Sequence, residues 1–356
     1  MSGILPGKRA SKEGGAMSST NWKRTLLVVA ALFTIVSIAG FATGQTSTET
    51  KGVVNAKGQI LSVAAVDFPQ FQPYKVRTES EKKACDDYGI KYTLLQPQQV
   101  TLEGYLETLT NAINQNFDAI LCEPWDYTAF KPVLELAKKK GVPLVAVHQK
   151  YPDASYFISM LYIDNAGYGG SAADALAKAT GGKANVLFMM TQADIPNQVI
   201  IRNTFMDTCK AKYPNIKVVD TLFTNVNTVT AASALEAAIK AYPQIDTAIW
   251  LEGATVGVGV DVAKEMGVLS KFRVIGVDDP PDVIASIGKG EAWGTFVQNF
   301  WKQGYEGVRN IVDYYTKQPF PKETDCGVVL VDKSNWNNYL PTMWAPVAIK
   351  GKAYSK

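Results

Sequence analysis

From residue 60 onward the chain alternates between two patterns. Short runs of apolar and β-branched residues recur at 60–66, 91–95, 119–122, 143–147 and 156–162. They return at 185–190, 217–223, 247–251, 273–277 and 294–297. Runs so short and so uniformly apolar predict strands buried on both faces. Between them lie longer stretches whose apolar positions step by three or four. Leu102, Leu106, Leu109 and Ile113 form one such stripe, and Tyr305, Val308, Ile311, Val312 and Tyr315 another. That spacing lays one helix face on a core. Helices are expected at 73–88, 102–113, 126–140, 165–180, 197–213, 229–241, 254–266 and 301–315. Asp126 suits an N-cap, while Gly89, Gly141 and Gly181-Gly182 suit helix stops.

Strands alternating with helices of this length predict an α/β chain of parallel sheets covered on both faces. About ten strands suit two smaller sheets better than one large one. Two doubly wound parallel-sheet lobes follow. In such sheets a ligand binds beyond the carboxyl ends of the strands, so two facing lobes share a cleft lined by strand tips. The residues just past each strand are therefore the candidates. They are Phe68 and Phe71 after the first strand, Trp125 after the third and His148 after the fourth. In the second half they are Gln192 and Arg202, then Glu252, Asp278 and Gln298. Rings can pack on the C–H face of a sugar, and carboxylate, amide and guanidinium groups can grip paired hydroxyls. A carbohydrate is the expected ligand. Plainer roles compete: Asp126 as a cap, Pro69 and Pro124 as turn residues, Phe68 or Phe71 as core.

Composition changes this picture in three ways. The chain has 356 residues, 47% hydrophobic and 19% charged, which suits globular lobes with real cores. The formal net charge of +3 is concentrated in residues 1–44, which carry +4 and leave the remainder near −1. Nothing there favours nucleic acid. Residues 1–44 read as a signal peptide: Lys23-Arg24 precedes an apolar run that ends in Ala42-Thr43-Gly44, with Met17 as an alternative start. An uncleaved anchor is the other reading, since the run is long enough to span a bilayer. Export to the periplasm, or to the outer face of the cytoplasmic membrane, is expected either way. Cys85, Cys122, Cys209 and Cys326 permit two disulfides, or four buried thiols. No zinc spacing is present among them.

The segments Val274–Asp278, Ile287–Gly290, Thr295–Asn299 and Gly304-Tyr305 with Val308 resemble the type I periplasmic binding proteins of the ribose/galactose group. So do Asp164-Asn165, Gly181–Lys183 and the stretch from Phe117 through Pro124 to Val145. The resemblance covers about residues 59–340. It implies a three-crossover hinge near 162–165, 298–299 and 321–327. It divides the chain into a first lobe (59–162 plus 299–322) and a second (163–298 plus 323–345), after a linker at 45–58 and before a tail at 346–356. It implies a monomer that serves a membrane ABC-importer permease, uses no cofactor or metal and catalyses no reaction. The family's cleft Asp, Gln and Arg fall on Asp278, Gln298 and Arg202, and its aromatic pair on Phe68 and Phe71. His148 stands where sugar-binding members usually carry Asp, and Gly253 where they usually carry Asn. Residues 192–198 lack the Asp-Gln pair of the relatives that bind quorum signals.

Two other readings stay open, and a third is set aside. A sensor that reports to a chemoreceptor or kinase needs the same cleft. Cys122 and His148 end neighbouring strands, so a Cys–His hydrolase is geometrically conceivable. A repressor would need a helix-turn-helix where the apolar leader stands.

Overall fold

The structure, a computed structural model, describes residues 52–339. The leader and the tail expected at 1–44 and 346–356 lie outside the described residues. The first elements are β1 (Ser62–Val66), α1 (Gln72–Tyr88), β2 (Lys91–Leu95), α2 (Leu102–Asn114), β3 (Ala119–Cys122), α3 (Lys131–Lys140), β4 (Leu144–His148) and β5 (Ser159–Tyr162). The same alternation then repeats with α4 (Asn165–Thr180), β6 (Lys183–Met190), α5 (Pro196–Lys212), β7 (Asn215–Phe223), α6 (Thr228–Ala241), β8 (Thr247–Trp250), α7 (Val256–Glu265) and β9 (Arg273–Val277). It closes with α8 (Pro281–Lys289), β10 (Gly294–Gln298), α9 (Phe300–Thr316), β11 (Glu323–Asp325) and β12 (Val328–Asp332).

Two six-stranded sheets result, in the orders β11-β5-β4-β3-β1-β2 and β12-β10-β9-β8-β6-β7. The winding 2-1-3-4-5 of the first sheet recurs as 7-6-8-9-10 in the second. The first sheet is parallel throughout. In the second only β12 runs antiparallel, against β10. Each strand feeds both faces of its sheet, as the uniformly apolar runs demand. Ala119 and Leu121 join one core with α1 and α9, while Ile120 and Cys122 join another with α2 and α3. The second sheet is covered in the same way on both sides.

The chain passes between the lobes three times. It leaves β5 for α4, leaves β10 for α9, and leaves β11 for β12. These passages are hydrogen-bonded to one another. Asp325 Oδ1 accepts from the N–H of Asp164 (3.1 Å) and of Gly327 (3.0 Å), and the Asn299 N–H donates to Gly327 O at 3.3 Å. The last passage lies at 326–327, not at the expected boundary after residue 322. Glu323–Asp325 continues the first sheet by pairing with Met160–Tyr162.

Further differences from the sequence expectation have local causes. Helices α8 and strands β11 and β12 go beyond the expected alternation. Asp126 caps a turn, accepting from the N–H of Thr128 (3.0 Å) and Ala129 (2.8 Å), and α3 begins only at Lys131. Pro132 explains this, because a proline lacks an N–H and fits only the first turn of a helix. Residues 52–58 were expected in a linker, yet they fold onto the first lobe. Asn55 donates to Asp118 Oδ1 (2.9 Å) and accepts from Lys57 and Gln59 N–H, while Val54 bridges Ile60.

Helices α1 and α9 approach closely at Gly304. A Cβ there would lie 2.1 Å from Ser80 Oγ and 2.5 Å from the Arg77 carbonyl. Gly304→Ala is expected to destabilise the protein by about 1–3 kcal/mol, because overpacking outweighs the helix propensity gained. A urea midpoint equal to or above the parent's would contradict this packing.

Candidate functional site

A cleft of about 620 Å³ opens between the carboxyl ends of the two sheets. That volume is ordinary for a small-molecule site, for which roughly 300–1,000 Å³ is usual. Phe68, Phe71, Trp125 and His148 line it from the first lobe, and Glu252, Asp278 and Gln298 from the second. Seven of the nine residues expected from the sequence therefore meet here. Gln192 and Arg202 do not. Gln192 is exposed beside the cleft-lining Thr191. Arg202 stands six residues into α5, roughly 9 Å along the helix from its start. Its guanidinium rests on Asn203 Oδ1 at 3.2–3.3 Å. The α5 residue that reaches the strand tips is Gln198. It bonds Thr191 and the Leu251 carbonyl and so ties the loop after β6 to β8.

The first lobe presents rings. Trp125 packs edge-on against Tyr105 with centroids 4.7 Å apart, and Phe68 lies 5.6 Å from the same ring. Tyr105 is held in turn: its hydroxyl donates to Val66 O (2.8 Å) and accepts from the Glu123 N–H (2.7 Å). One tyrosine thus clamps the tips of β1 and β3 and backs the aromatic wall.

Beneath that wall lies Arg77, only 1% exposed. It grips Asp67 through Nε and Nη2, both at 2.8 Å, and reaches Glu123 at 2.9 Å and Gln303 at 3.3 Å. Burial raises both carboxyls, and the guanidinium opposes that rise. The guanidinium carbon also sits 4.7 Å from the Tyr74 centroid and 5.6 Å from that of Phe300. Sequence reasoning missed this group, although a signal existed. Arg77, Glu81 and Cys85 share one helical face, and charges on an inward stripe imply buried partners.

Phe300 carries His148. The two rings stack at 5.0 Å and 19°, and Tyr74 meets the imidazole edge-on at 6.5 Å. Burial, and then the nearby Arg77 charge, pushes the imidazole down to about 3, so His148 is neutral at physiological pH. Its Nδ1 has no hydrogen-bond partner.

Asp278 occupies the matching place in the second lobe. His148 ends β4 with φ 65° and Asp278 follows β9 with φ 61°, both left-handed without being glycine. Such backbone is costly and turns each side chain sharply at the strand tip. Asp278 Oδ1 accepts from Gln298 Nε2 at 2.9 Å, and Thr295 Oγ1 donates to the Asp278 carbonyl at 2.6 Å. Burial pushes this carboxyl up to about 7. The Gln298 hydrogen bond opposes the rise, and the neighbouring Asp279 and Glu252 charges add to it. Glu252 is itself pinned by the hydroxyls of Thr224 and Thr255 and by the Ala254 N–H.

The Cys122–His148 pairing is not built. Cys122 points into the core with Tyr105 and Phe130, away from the cleft. Burial, then the Glu123 charge, pushes its thiol up to about 12, the opposite of what a nucleophile needs. All four cysteines are buried and free. Among the described residues, no group of three or more His, Cys, Asp or Glu is placed to hold a metal, and no helix is long and apolar enough to cross a membrane.

Residues 78–319 match the family described as "Periplasmic binding protein domain". A xylitol-binding protein from Mycolicibacterium smegmatis is 29% identical over 191 residues, 52% of this chain and 53% of that one. The match thus spans about half the length of that relative. Two solved structures share the fold. A glucose-galactose binding protein from Geobacillus stearothermophilus superposes with a TM-score of 0.72 at 21% identity, over 77% of this chain and 98% of the other. A solute-binding protein of an ABC transporter from Burkholderia graminis, in complex with D-arabinose, gives 0.72 at 23% identity, over 78% and 97%.

Two outcomes are expected. Arg77→Met leaves Asp67 and Glu123 buried without a cation, and should cost about 3–5 kcal/mol in urea unfolding; a loss below about 1 kcal/mol would contradict the network. Asp278 sets a pH dependence. The folded carboxyl keeps its proton up to about 7, against an ordinary value of 3.8. Between those values the folded state binds the extra proton, so stability falls as pH rises and the loss is complete above the upper one. The Tm of Asp278→Asn, relative to the parent, should therefore climb across that window and level off beyond it. A difference that stays constant with pH in scanning fluorimetry would exclude such a shifted carboxyl.

Proposed function

The chain belongs to the periplasmic binding protein family, and from that premise we propose that it is an exported solute receptor for a membrane ABC importer, taking a sugar or sugar-like polyol. The observation that carries this is the composition of the cleft. One wall is aromatic, the other is carboxylate and amide, and the walls belong to different lobes beside a three-strand hinge. Ring faces suit the C–H surface of a sugar or polyol, and Asp278 suits its hydroxyls. The xylitol-binding relative and the sugar-binding structural neighbours support the same ligand class.

Family members bind substrates and are not enzymes, and no reaction is proposed for this chain. Ligand gains contacts to both lobes only when they shut, so binding favours the closed arrangement. Closure excludes water and strengthens the hydrogen bonds inside. Gln298 lies at the second passage between lobes and bonds Asp278. It couples the ligand wall to the hinge. A closed, loaded receptor is what a permease partner at the membrane would recognise.

A thermal-shift screen of sugars and polyols tests this directly. A true ligand at about 100 times its Kd stabilises by roughly 2.7 kcal/mol, and small-angle scattering should show a smaller radius of gyration with it. Trp125→Ala and Gln298→Ala should each weaken binding by about ten-fold, or 1.4 kcal/mol. Unchanged melting and unchanged scattering across the whole panel would sink the proposal.

A further inference from the structure

The charge of the cleft is not balanced. Five carboxyl side chains line it: Asp67, Glu123, Glu252, Asp278 and Asp282. Among the described residues, no lysine or arginine lines it. The single guanidinium nearby, Arg77, is buried below the rings and spent on Asp67, Glu123 and Gln303. One positive charge there faces two negative ones. Around the cleft, the second-lobe carboxyls Glu252, Asp278 and Asp279 have only neutral hydrogen-bond partners among the described residues. Glu252 is held by hydroxyls and an N–H, and Asp279, behind Asp278, by Tyr339 and by Gln72 of the opposite lobe. Arg202, the cation expected on this wall, faces Asn203 instead.

One polar atom stands open at the meeting of the lobes. Asp278 is 7% exposed, and its Oδ2 has no hydrogen-bond partner among the described residues. His148 is 5% exposed and neutral, and its Nδ1 is buried without a partner. Tyr74 meets His148 edge-on and lies within electrostatic reach of Asp278. A ligand entering here meets an Asp278 carboxyl oxygen without a hydrogen-bond partner, ionised above about 7, and the rings of Tyr74, Phe71 and Trp125. These are groups that receive a proton donor or a cation. A neutral polyol would strip water from the acids without supplying countercharge, which is costly in a dry site.

We infer that the cleft selects a polyhydroxylated ligand carrying an ammonium group, an amino sugar or an aminated polyol, over its neutral counterpart. The ammonium sits between Asp278 and the Tyr74 ring, and the hydroxylated body lies along Phe68 and Trp125. This rests on the cleft being the ligand site proposed above.

Paired calorimetry on the purified full chain decides it. The pairs are glucosamine with glucose, galactosamine with galactose, and 1-amino-1-deoxysorbitol with sorbitol, at neutral pH. The aminated member of at least one pair should bind about ten-fold tighter or better. That margin should shrink when ionic strength rises from about 0.01 M to about 1 M, because the screening length falls from roughly 30 Å to roughly 3 Å. It should vanish in Asp278→Asn, while the salt series on the unaltered chain stays informative whatever that variant's fold. Neutral members binding as well or better would overturn the charge preference and leave the receptor reading intact. So would silence from all three pairs when a neutral compound from the wider screen binds. If no compound in either panel binds, both readings fall.

Discussion

A single buried guanidinium organises the first lobe. Arg77 lies under the strand tips, and its bonds reach Asp67 after β1, Glu123 after β3 and Gln303 on α9. An arginine so deeply buried is tolerable only when its donors are used and its charge is met. Once those contacts are made, much else follows. β1, β3 and α9 are locked in register at the ends that face the cleft. Tyr74 and Phe300 are drawn onto the cation, Phe300 supports His148, and His148 is kept neutral. The aromatic wall is therefore the visible surface of an ionic network.

The second lobe reaches a similar result by other means. The winding order repeats, and the fourth strand of each repeat hands over to a non-glycine residue in left-handed backbone. In the first lobe that residue is an imidazole on a ring stack. In the second it is a carboxylate on an amide. Repetition of the fold sets two equivalent turrets facing one cavity, and substitution at their tips makes the walls chemically unlike. One wall suits the apolar side of a ligand and the other suits its donors. The three passages between the sheets run at the edge of both, with Asp325 and Gly327 stitching them together.

The alternation of strand and helix is written in short windows of sequence. Periodicity, helix stops such as Gly89 and Gly141, and the length of apolar runs mark β1–β10 and most helices within a few residues. Position after a strand was enough to bring Phe68, Phe71, Trp125, His148, Glu252, Asp278 and Gln298 to one cavity. Those signals are local because they depend on backbone geometry and one-sided burial. Where a local rule competes with a nonlocal partner it fails. Asp126 has cap chemistry but yields to Pro132, and Asn55 leaves an apparent linker to bond Asp118 across 63 positions.

By itself, then, the sequence determined two wrapped parallel sheets and the strand tips at which a ligand would be met. Tertiary structure decided which charges meet there. It buried Arg77 beneath the cleft and left Arg202 off its lining, joined Arg77 to partners 46 and 226 residues away, and gave Glu323–Asp325 to the first sheet. It also left Asp278 Oδ2 without a hydrogen-bond partner in a cavity that, among the described residues, has no lysine or arginine on its lining. The physical reason is range. Periodicity is felt over a turn or two of chain, whereas desolvation and ion pairing depend on what surrounds a group once distant segments have packed.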